Sequence, residues 1–276
     1  MKKTTQIRPG RENKMQPRPQ TQPEELHKKL DGKVALITGG DSGIGKAVAI
    51  LFAQHGADVA ISYLNEHEDA EDTKTRVEAF GKTCLLLPGD LGKEAQCKKI
   101  VSLTLKKFKR LDVLVNNAAI HYPSKKLEDI STKNFLHSFQ VNFFSCFFVT
   151  RAALPYLKRG AAIINTASVV AFRGSPELID YAATKGAIVS FTRSLAINLA
   201  AKGIRVNGVA PGPIWTPLIP SSFKNKGLKK HGADTPLGRT GQPNEVAPSY
   251  LFLASKDSSY INGQFIHPNG GEIINT

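Results

Sequence analysis

The fold of this chain is decided by Val34-Ala-Leu-Ile-Thr38 and by the turn that follows it, Gly39-Gly-Asp-Ser-Gly43-Ile-Gly45. Five residues that favour a strand run directly into this glycine-rich turn. Apolar residues then recur at helical spacing, at Ile44, Ala47, Val48, Leu51 and Phe52. A second strand-like run begins two residues after Gly56. Strand, turn, helix and strand in this order predict a βαβ unit, which joins two parallel strands.

The same alternation continues along the chain and predicts an α/β fold: a single Rossmann-type, doubly wound parallel sheet of about seven strands flanked by helices. The predicted strands are Val34–Thr38, Asp58–Tyr63, Thr83–Leu87, Val113–Asn116, Ala161–Thr166, Arg205–Ala210 and Gln264–His267. Two long helices are predicted over 132–157 and 182–201. Residues 31–276 should form one catalytic domain, in which the aperiodic stretch of about 211–240 would be a substrate lid.

Residues 1–30 differ in composition from the rest of the chain. They carry eight Lys or Arg against three Glu, four prolines and almost no large apolar side chains. This composition predicts an extended, basic, proline-rich arm. We expect a solvated tail or a strap across a neighbouring subunit. A nucleic-acid-binding arm is the less favoured alternative, because no aromatic residues are interleaved with the charges.

The overall composition argues against several classes of protein. The 276 residues include no apolar run long enough to span a membrane, and the N-terminus lacks the apolar core of a signal peptide. Three widely spaced cysteines favour reduced thiols, and the seven histidines form no ligand-like cluster. We therefore expect a cytoplasmic protein without a membrane contact, a disulfide framework or a metal site.

The glycine turn has the features of a dinucleotide site. Glycine permits a tight turn and a close approach of backbone to a pyrophosphate, and the free N–H groups of a helix N-terminus favour negative charge. Because the turn joins a strand to a helix within a βαβ unit, we expect it to bind the phosphates of a nucleotide.

A second motif, Tyr181-Ala-Ala-Thr-Lys185, suggests acid–base chemistry. Four residues make about one helical turn, so the phenol and the ammonium should share one face of a helix, with Ser168 thirteen residues upstream. A neighbouring cation favours the phenolate, so we expect Lys185 to lower the pKa of Tyr181.

These motifs resemble the short-chain dehydrogenase/reductase family over about residues 31–273. Thr38–Gly45 matches its TGxxxGxG pattern, Asn116-Asn-Ala-Ala119 resembles its NNAG, and Asn142, Ser168, Tyr181 and Lys185 match its catalytic tetrad in order and spacing. Arg205-Val-Asn207, Pro211-Gly212 with Thr216, Pro236-Leu-Gly-Arg239 and Gly270-Gly271 extend the similarity. The Asp-Ser of the glycine turn and the N-terminal extension further resemble a bacterial general-stress, aldehyde-reductase-like subgroup.

The resemblance implies an NAD(P)-dependent oxidoreductase that interconverts a carbonyl and an alcohol. Tyr181 would be the general acid and base, Ser168 would bind the developing oxyanion, and Lys185 would hold the nicotinamide ribose. Asn142 would orient a water in a proton relay. The cofactor would be bound by Gly39, Asp41, Ser42, Gly43, Ile44, Gly45, Tyr63, Asp90, Leu91, Asn117, Ala118, Ala119, Tyr181, Lys185, Pro211, Gly212, Ile214 and Thr216. The resemblance also implies a homotetramer whose interfaces include helices 132–157 and 182–201.

The choice between NAD and NADP is less clear, and the sequence leans towards NAD. Neither a carboxylate nor an arginine closes the second strand, but acidic residues follow it at Glu66, Glu68, Asp69, Glu71 and Asp72. They would repel a 2′-phosphate. Lys46 lies close enough to work against this preference. Asp90 would contact the adenine, as the resemblance implies; a second role, compatible with the first, is to cap the helix that begins near Lys93.

The substrate is the least readable feature. The site walls should come from residues 120–122, 169–173, 176–180 and 213–234, with His121, Arg173 and Asp180 as polar groups that could contact it. We expect a small or medium carbonyl compound or its alcohol. Two alternatives to this enzyme are a catalytically idle dinucleotide-binding or sensing protein on the same fold, and a ketoacyl-type reductase.

Overall fold

A computed structural model describes residues 10–18, 28–223 and 231–274, and in it seven parallel strands form one sheet. The strands are β1 Val34–Thr38, β2 Asp58–Tyr63, β3 Cys84–Pro88, β4 Val113–Asn116, β5 Ala162–Thr166, β6 Arg205–Val209 and β7 Phe265–Ile266. Their order is β3-β2-β1-β4-β5-β6-β7. The predicted α/β fold is confirmed, and four of the predicted strands shift or shorten by one residue at one or both ends.

Helices cover both faces of this sheet. They are α1 Gly43–Gln54, α2 His67–Glu78, α3 Glu94–Phe108, α4 Thr132–Phe139, α5 Ser145–Ala153, α6 Val170–Arg173, α7 Ile179–Leu199, α8 Leu218–Ser222 and α9 Pro243–Ala254. The side chains of β1 alternate between two cores. Ala35 and Ile37 pack in one core with residues of α1 and α9, whereas Leu36 packs in the other with residues of α3 and α7. This alternation is what a strand buried on both faces requires.

The order of the strands reverses next to β1. It pairs with β2 on one side and with β4 on the other, in register from Val34 opposite Asp58 and from Ala35 opposite Val113. The connections from β1 and from β4 therefore leave in opposite directions along the sheet. A crevice opens at such a point beyond the carboxyl ends of the strands, and ligands of doubly wound sheets bind there.

The helix predicted over 132–157 is interrupted. Between α4 and α5 the residues Gln140–Phe144 form a π-helical turn, and Leu154–Tyr156 form a 3₁₀ turn. Asn142 lies in the middle of the π turn and is almost completely buried. A π turn holds one residue more than an α turn, and such turns occur frequently at functional sites. The other long helix, α7, begins three residues earlier than the sequence predicts.

The segment Gly10–Arg18, which we call the N-terminal clasp, packs on the fold of its own chain. Its residues Glu12 and Met15 are buried. The expectation of a solvated tail is wrong for these nine residues, since they contact both the glycine turn and the loop after β6. Residues 1–9 and 19–27, the rest of the predicted arm apart from Lys28 to Leu30, lie outside the described residues. So do residues 224–230 of the predicted lid.

None of the helices in the described part of the chain is long and apolar enough to cross a membrane.

Candidate active site

One large cleft, of about 1280 Å³, lies at the carboxyl ends of β1, β4, β5 and β6. Nearly all the residues that the sequence singled out line it. They are Gly39, Asp41, Ser42, Gly43, Ile44, Tyr63, Asp90, Leu91, Asn117, Ala118, Ala119, Ser168, Tyr181, Lys185, Pro211, Gly212, Ile214 and Thr216. The two exceptions are Gly45 and Asn142, which stand behind its wall. The fold thus brings the predicted cofactor and catalytic residues to one place.

The glycine turn closes one end of the cleft with backbone alone. Gly39 has a φ of +62°, a left-handed conformation that glycine adopts without strain. Gly45 lies so close to this turn that a Cβ there would overlap the carbonyl oxygen of Gly39. The first backbone hydrogen bond of α1 runs from Lys46 N–H to Ser42, and the amides of Ile44 and Gly45 have no acceptor among the described residues. Two amides without an acceptor at a helix N-terminus fit the pyrophosphate of a dinucleotide.

Thr38 fixes this turn to the end of β4. Its Oγ1 accepts hydrogen bonds from the backbone N–H groups of Asn117, at 2.9 Å, and of Ala118, at 3.0 Å. The side-chain amide of Asn117 in turn donates to the carbonyls of Thr38 and Gly39. The carboxyl ends of two neighbouring strands are therefore locked together beneath the cleft.

Asn142 supports the cleft from behind. Its Oδ1 accepts from the Ile120 N–H at 2.8 Å, and its Nδ2 donates to the Ile120 carbonyl at 2.9 Å and to Thr184 Oγ1 at 3.1 Å. A buried amide is stable only when it has such partners. Asn142 thereby ties the π turn to the strand-end loop that carries Ile120 and to the catalytic helix α7.

Tyr181 and Lys185 lie one turn apart on α7, as the sequence predicts. The Lys185 Nζ lies 5.5 Å from the centroid of the Tyr181 ring, and it donates a 2.7 Å hydrogen bond to the carbonyl of Thr166. The Ser168 hydroxyl interacts with the Tyr181 hydroxyl and favours its ionised form. Phenol, ammonium and alcohol are thus assembled on one wall.

The electrostatics of this wall differ from the expectation. Burial raises the pKa of Tyr181 to about 12, and the interaction with Ser168 offsets only part of this effect. Burial also lowers the pKa of Lys185 to about 8, because the ammonium ion loses its hydration. In the chain alone, desolvation sets the direction of the Tyr181 shift, so the expected lowering of this pKa by Lys185 is not seen.

The end of the cleft that the glycine turn closes is acidic. Burial, reinforced by the charge of Glu66, raises the pKa of Asp41 to about 7, and both residues line the cleft beside Tyr63. Lys46 does not reach this end, because it forms ion pairs of 2.7 Å with Glu12 and 2.6 Å with Asp72. The Asp90 side chain accepts from the N–H of Gly92 and so does not cap α3, whose N-cap is Lys93.

The predicted substrate walls meet the cleft in part. His121 and Arg173 line it, and the His121 ring lies 5.3 Å from the ring of Tyr181, centroid to centroid. Arg173 pairs with Glu272 across the cleft at 2.7 Å. Asp180 does not line the cleft, because its carboxylate is buried against Ser138, whose hydroxyl donates to it.

Three residues that support the site were not identified from the sequence: Thr166, Tyr250 and Glu12. Thr166 ends a predicted strand, so its position could have indicated it. Tyr250 shares a 2.7 Å hydrogen bond with Thr166 Oγ1. Glu12 gave no signal, because it lies in a polar arm without periodicity.

No group of three or more His, Cys, Asp and Glu side chains that could hold a metal occurs within the described ranges. The absence of a metal site stays a prediction.

Comparison with known proteins gives the family. The family model described as "Enoyl-(Acyl carrier protein) reductase" matches residues 39–272. An oxidoreductase of Bacillus subtilis, YhxC, is 57% identical over 97% of this chain and 94% of its own length. The chain belongs to the short-chain dehydrogenase/reductase family. General stress protein 39 of B. subtilis is 52% identical, over 99% of this chain and 96% of its own. NADPH-dependent aldehyde reductase 1 of Arabidopsis thaliana is 50% identical, over 99% and 98%. The predicted subgroup is thereby confirmed.

Solved structures agree with this assignment. A short-chain dehydrogenase of Burkholderia cenocepacia in complex with NADP has a TM-score of 0.83 and 32% identity, over 88% of this chain and 98% of that one. A 3-ketoacyl-(acyl-carrier-protein) reductase of Brucella melitensis complexed with NADH has a TM-score of 0.79 and 34% identity, over the same shares. This short-chain dehydrogenase/reductase is an NAD(P)-dependent oxidoreductase. Both forms of the dinucleotide occur among these similar structures.

Proposed function

We propose that this short-chain dehydrogenase/reductase interconverts a small or medium carbonyl compound and its alcohol, with Tyr181 as the general acid and base. The observation that carries the proposal is the shared wall of Ser168, Tyr181 and Lys185, which faces the same cleft as the free amides of the glycine turn. A proton donor and a dinucleotide site on one cleft are what this reaction needs.

Each of the three residues in this wall has a role that follows from its chemistry. A Tyr181 whose pKa is raised to about 12 is a neutral phenol at neutral pH, so it holds the proton that a reduced carbonyl oxygen takes up. Ser168, next to that phenol, can donate to the same oxygen as negative charge develops on it. A bound nicotinamide would supply or accept the hydride. Lys185, which is held at the carbonyl of Thr166, keeps a positive charge in this wall below pH of about 8.

For the cofactor we propose a preference for NAD. The support is the acidic end of the cleft, where Asp41 and Glu66 lie, and the pairing of Lys46 with Glu12 and Asp72, which removes the nearest cation. A 2′-phosphate placed there would meet negative charge without a partner. The Arabidopsis relative is named for NADPH and the Burkholderia dehydrogenase was solved with NADP, so titration with NADH and NADPH in parallel is the direct test.

The function is tested with a panel of aldehydes, ketones and sugar-like polyols assayed with both cofactors. The wild-type protein should turn over at least one member, and Tyr181→Phe should not exceed background. Tyr260→Phe is the matched control, because Tyr260 is fully exposed. If the protein binds a cofactor but oxidises and reduces nothing above the Tyr181→Phe background, it is an idle dinucleotide sensor.

A ketoacyl-type reductase is the second candidate. The similarity to the Brucella 3-ketoacyl-(acyl-carrier-protein) reductase favours it. It predicts activity on a β-ketoacyl thioester that exceeds activity on free aldehydes by orders of magnitude, and the same panel distinguishes the two when it includes such a thioester.

We also propose a cytoplasmic homotetramer. Cys84, Cys97 and Cys146 are all free and buried, which suits a reducing compartment. Large aromatic side chains, Phe135, Phe144 and Phe147, are exposed on α4, the π turn and α5. An exposed apolar face of this kind favours burial against a second copy. Light scattering should give four chains, and Phe147→Asp should reduce that number; a stable wild-type monomer would contradict the assembly.

A further inference from the structure

The N-terminal clasp contacts the candidate active site through a buried carboxylate. Glu12, 6% exposed, accepts a 2.9 Å hydrogen bond from the Gly43 N–H and forms a 2.7 Å ion pair with Lys46. The backbone N–H groups of Glu12 and Asn13 donate to the carboxylate of Asp69, at 2.7 and 3.2 Å. A buried charge is retained only where it is paired and hydrogen-bonded, and Glu12 meets both conditions.

Glu12 acts on the turn that would hold the pyrophosphate. Gly43, Ile44 and Gly45 are the first three residues of α1, and their amides are the ones that a helix leaves unbonded. Glu12 takes the amide of Gly43, while those of Ile44 and Gly45 have no acceptor in the described ranges. The carboxylate thus fixes the start of the helix and leaves two adjacent amides for a ligand.

The other end of the clasp holds the loop after β6, whose Thr216 lies against Gly43 of the glycine turn. Met15 and Trp215, each 1% exposed, pack together against Ile219 and Phe223. The Trp215 Nε1 donates a 2.6 Å hydrogen bond to the carbonyl of Pro17. Trp215 lies between Ile214 and Thr216, which both line the cleft. Nine residues of the clasp therefore join the glycine turn to the loop after β6.

We propose that the N-terminal clasp is part of the catalytic unit: Glu12 is a positioning residue for the dinucleotide turn, and Met15 to Pro17 hold the Trp215 loop, which carries Ile214 and Thr216, against that turn. This inference rests on the proposed function. The clasp acts through other residues, since the amides of the turn and the loop residues are the groups that face the ligands.

The test compares Glu12→Ala, Glu12→Gln and Trp215→Phe with the wild type in the full chain. Glu12→Ala removes the acceptor and the charge, so the dissociation constant of NADH or NADPH, whichever binds, should rise roughly tenfold, as expected for loss of a helix-cap interaction. Glu12→Gln keeps an acceptor for Gly43 and should stay within about threefold of the wild type. Glu128→Ala is the matched control, because Glu128 is exposed and does not line the cleft.

Trp215→Phe keeps the ring in the pocket of Met15 but removes the hydrogen bond to Pro17. Because its neighbours Ile214 and Thr216 line the cleft at the predicted cofactor site, we expect the dissociation constant of the cofactor to rise several-fold, by analogy with loss of one hydrogen bond. A weaker cofactor complex at an unchanged melting temperature is a result that general loss of stability would not produce. Melting temperatures of all variants, measured alongside, show that each is folded.

The outcomes distinguish failure of the proposed role of the clasp from failure of the proposed function. A wild-type protein that binds cofactor while Glu12→Ala binds it equally well overturns the role of the clasp and leaves the enzyme assignment intact. Equal weakening by Glu12→Ala and Glu12→Gln overturns the positioning role in favour of a charge effect. A wild-type protein that binds neither NADH nor NADPH overturns both the clasp and the proposed function.

Discussion

The ammonium group of Lys185 lies 5.5 Å from the centroid of the Tyr181 ring, yet its hydrogen bond goes to the carbonyl of Thr166. The two side chains share a face of α7 without a direct hydrogen bond between them. Burial acts on both, raising the pKa of the phenol and lowering that of the amine. In the chain alone the wall therefore holds a protonated tyrosine beside an easily deprotonated lysine.

Replacement of Tyr181 by Phe should reduce kcat by two to four orders of magnitude, roughly the contribution of a general acid. The cofactor dissociation constant should remain within about twofold of the wild type, because the lost hydroxyl serves the substrate oxygen. Steady-state kinetics and fluorescence titration with NADH measure the two quantities. Equal losses of turnover and cofactor affinity would contradict the proposed role.

Replacement of Lys185 by Met should weaken cofactor binding without loss of stability. Lowering the pKa of Lys185 from 10.5 to about 8 means that the buried charge costs about 3 kcal/mol at neutral pH. Met removes that cost, although it leaves the Thr166 carbonyl without its donor, so the free energy of unfolding at pH 7 should be at least that of the wild type. Urea unfolding measures it, with exposed Lys202→Met as the control.

The same Lys185 pKa predicts how this comparison changes with pH. Between about 8 and 10.5 the unfolded chain binds a proton that the folded chain has released, so the wild type should gain stability as pH rises through this window. Lys185→Met lacks the group and should not show the gain. Parallel curves for the two proteins from pH 8 to 10 would show that Lys185 is not the titrating group.

Asp41 should make the discrimination between cofactors depend on pH. Because its pKa is raised to about 7, the carboxyl gains its charge as pH rises through neutrality. The ratio of the dissociation constants of NADPH and NADH should therefore increase from pH 6 to pH 8, since the 2′-phosphate meets a new negative charge. Asp41→Asn should show a smaller increase. A wild-type ratio that is flat over this range would place Asp41 away from the phosphate.

The raised pKa of Asp41 also predicts how the stability of the protein changes with pH. The folded chain keeps a proton that the unfolded chain loses above pH of about 4, so the stabilisation from this group is present at low pH and is lost as pH rises through about 7. Asp41→Asn, which cannot ionise, should be less sensitive to pH over this window. Thermal unfolding at pH 5, 6, 7 and 8 measures the difference.

Removal of the Asn142 amide should destabilise the protein and lower kcat together. Asn142→Ala leaves the N–H and carbonyl of the half-buried Ile120 without their side-chain partners, which costs at most about 1 to 3 kcal/mol for each group because Ile120 lines the cleft. Thr184→Val is the comparison, because it keeps both Ile120 contacts and removes the third hydrogen bond of Asn142 together with the bond from Thr184 Oγ1 to the Tyr181 carbonyl. If Asn142→Ala costs no more than Thr184→Val, the Ile120 contacts do not hold the π turn in place.

Much of the fold and of the site could be predicted because the local sequence pattern there already specifies the structure. The residues of Val34–Thr38 and of the glycine turn by themselves favour a strand followed by a tight turn. Tyr181 and Lys185 are four residues apart, so any helix through them places the two side chains one turn apart. Gly45 had to be glycine because backbone approaches it, which its position in the turn already suggested.

The rest could not be read because it depends on tertiary contacts. The π turn at Asn142 follows from hydrogen bonds to Ile120, 22 residues away along the chain. The burial that reverses the expected pKa shift of Tyr181 is likewise a property of the packed wall. Glu12 reaches Gly43 across 31 residues, and nothing in the local sequence of the arm indicates that contact.

The clasp also has a consequence for chemical inhibition. Gly10 lines the cleft, although it precedes the region that the family model matches, residues 39–272. A small molecule that extends from the glycine turn as far as Gly10 would touch backbone that lies outside the region matched by the family model. Selectivity against family members that lack this segment is therefore to be sought at Gly10, rather than at Tyr181 and Lys185.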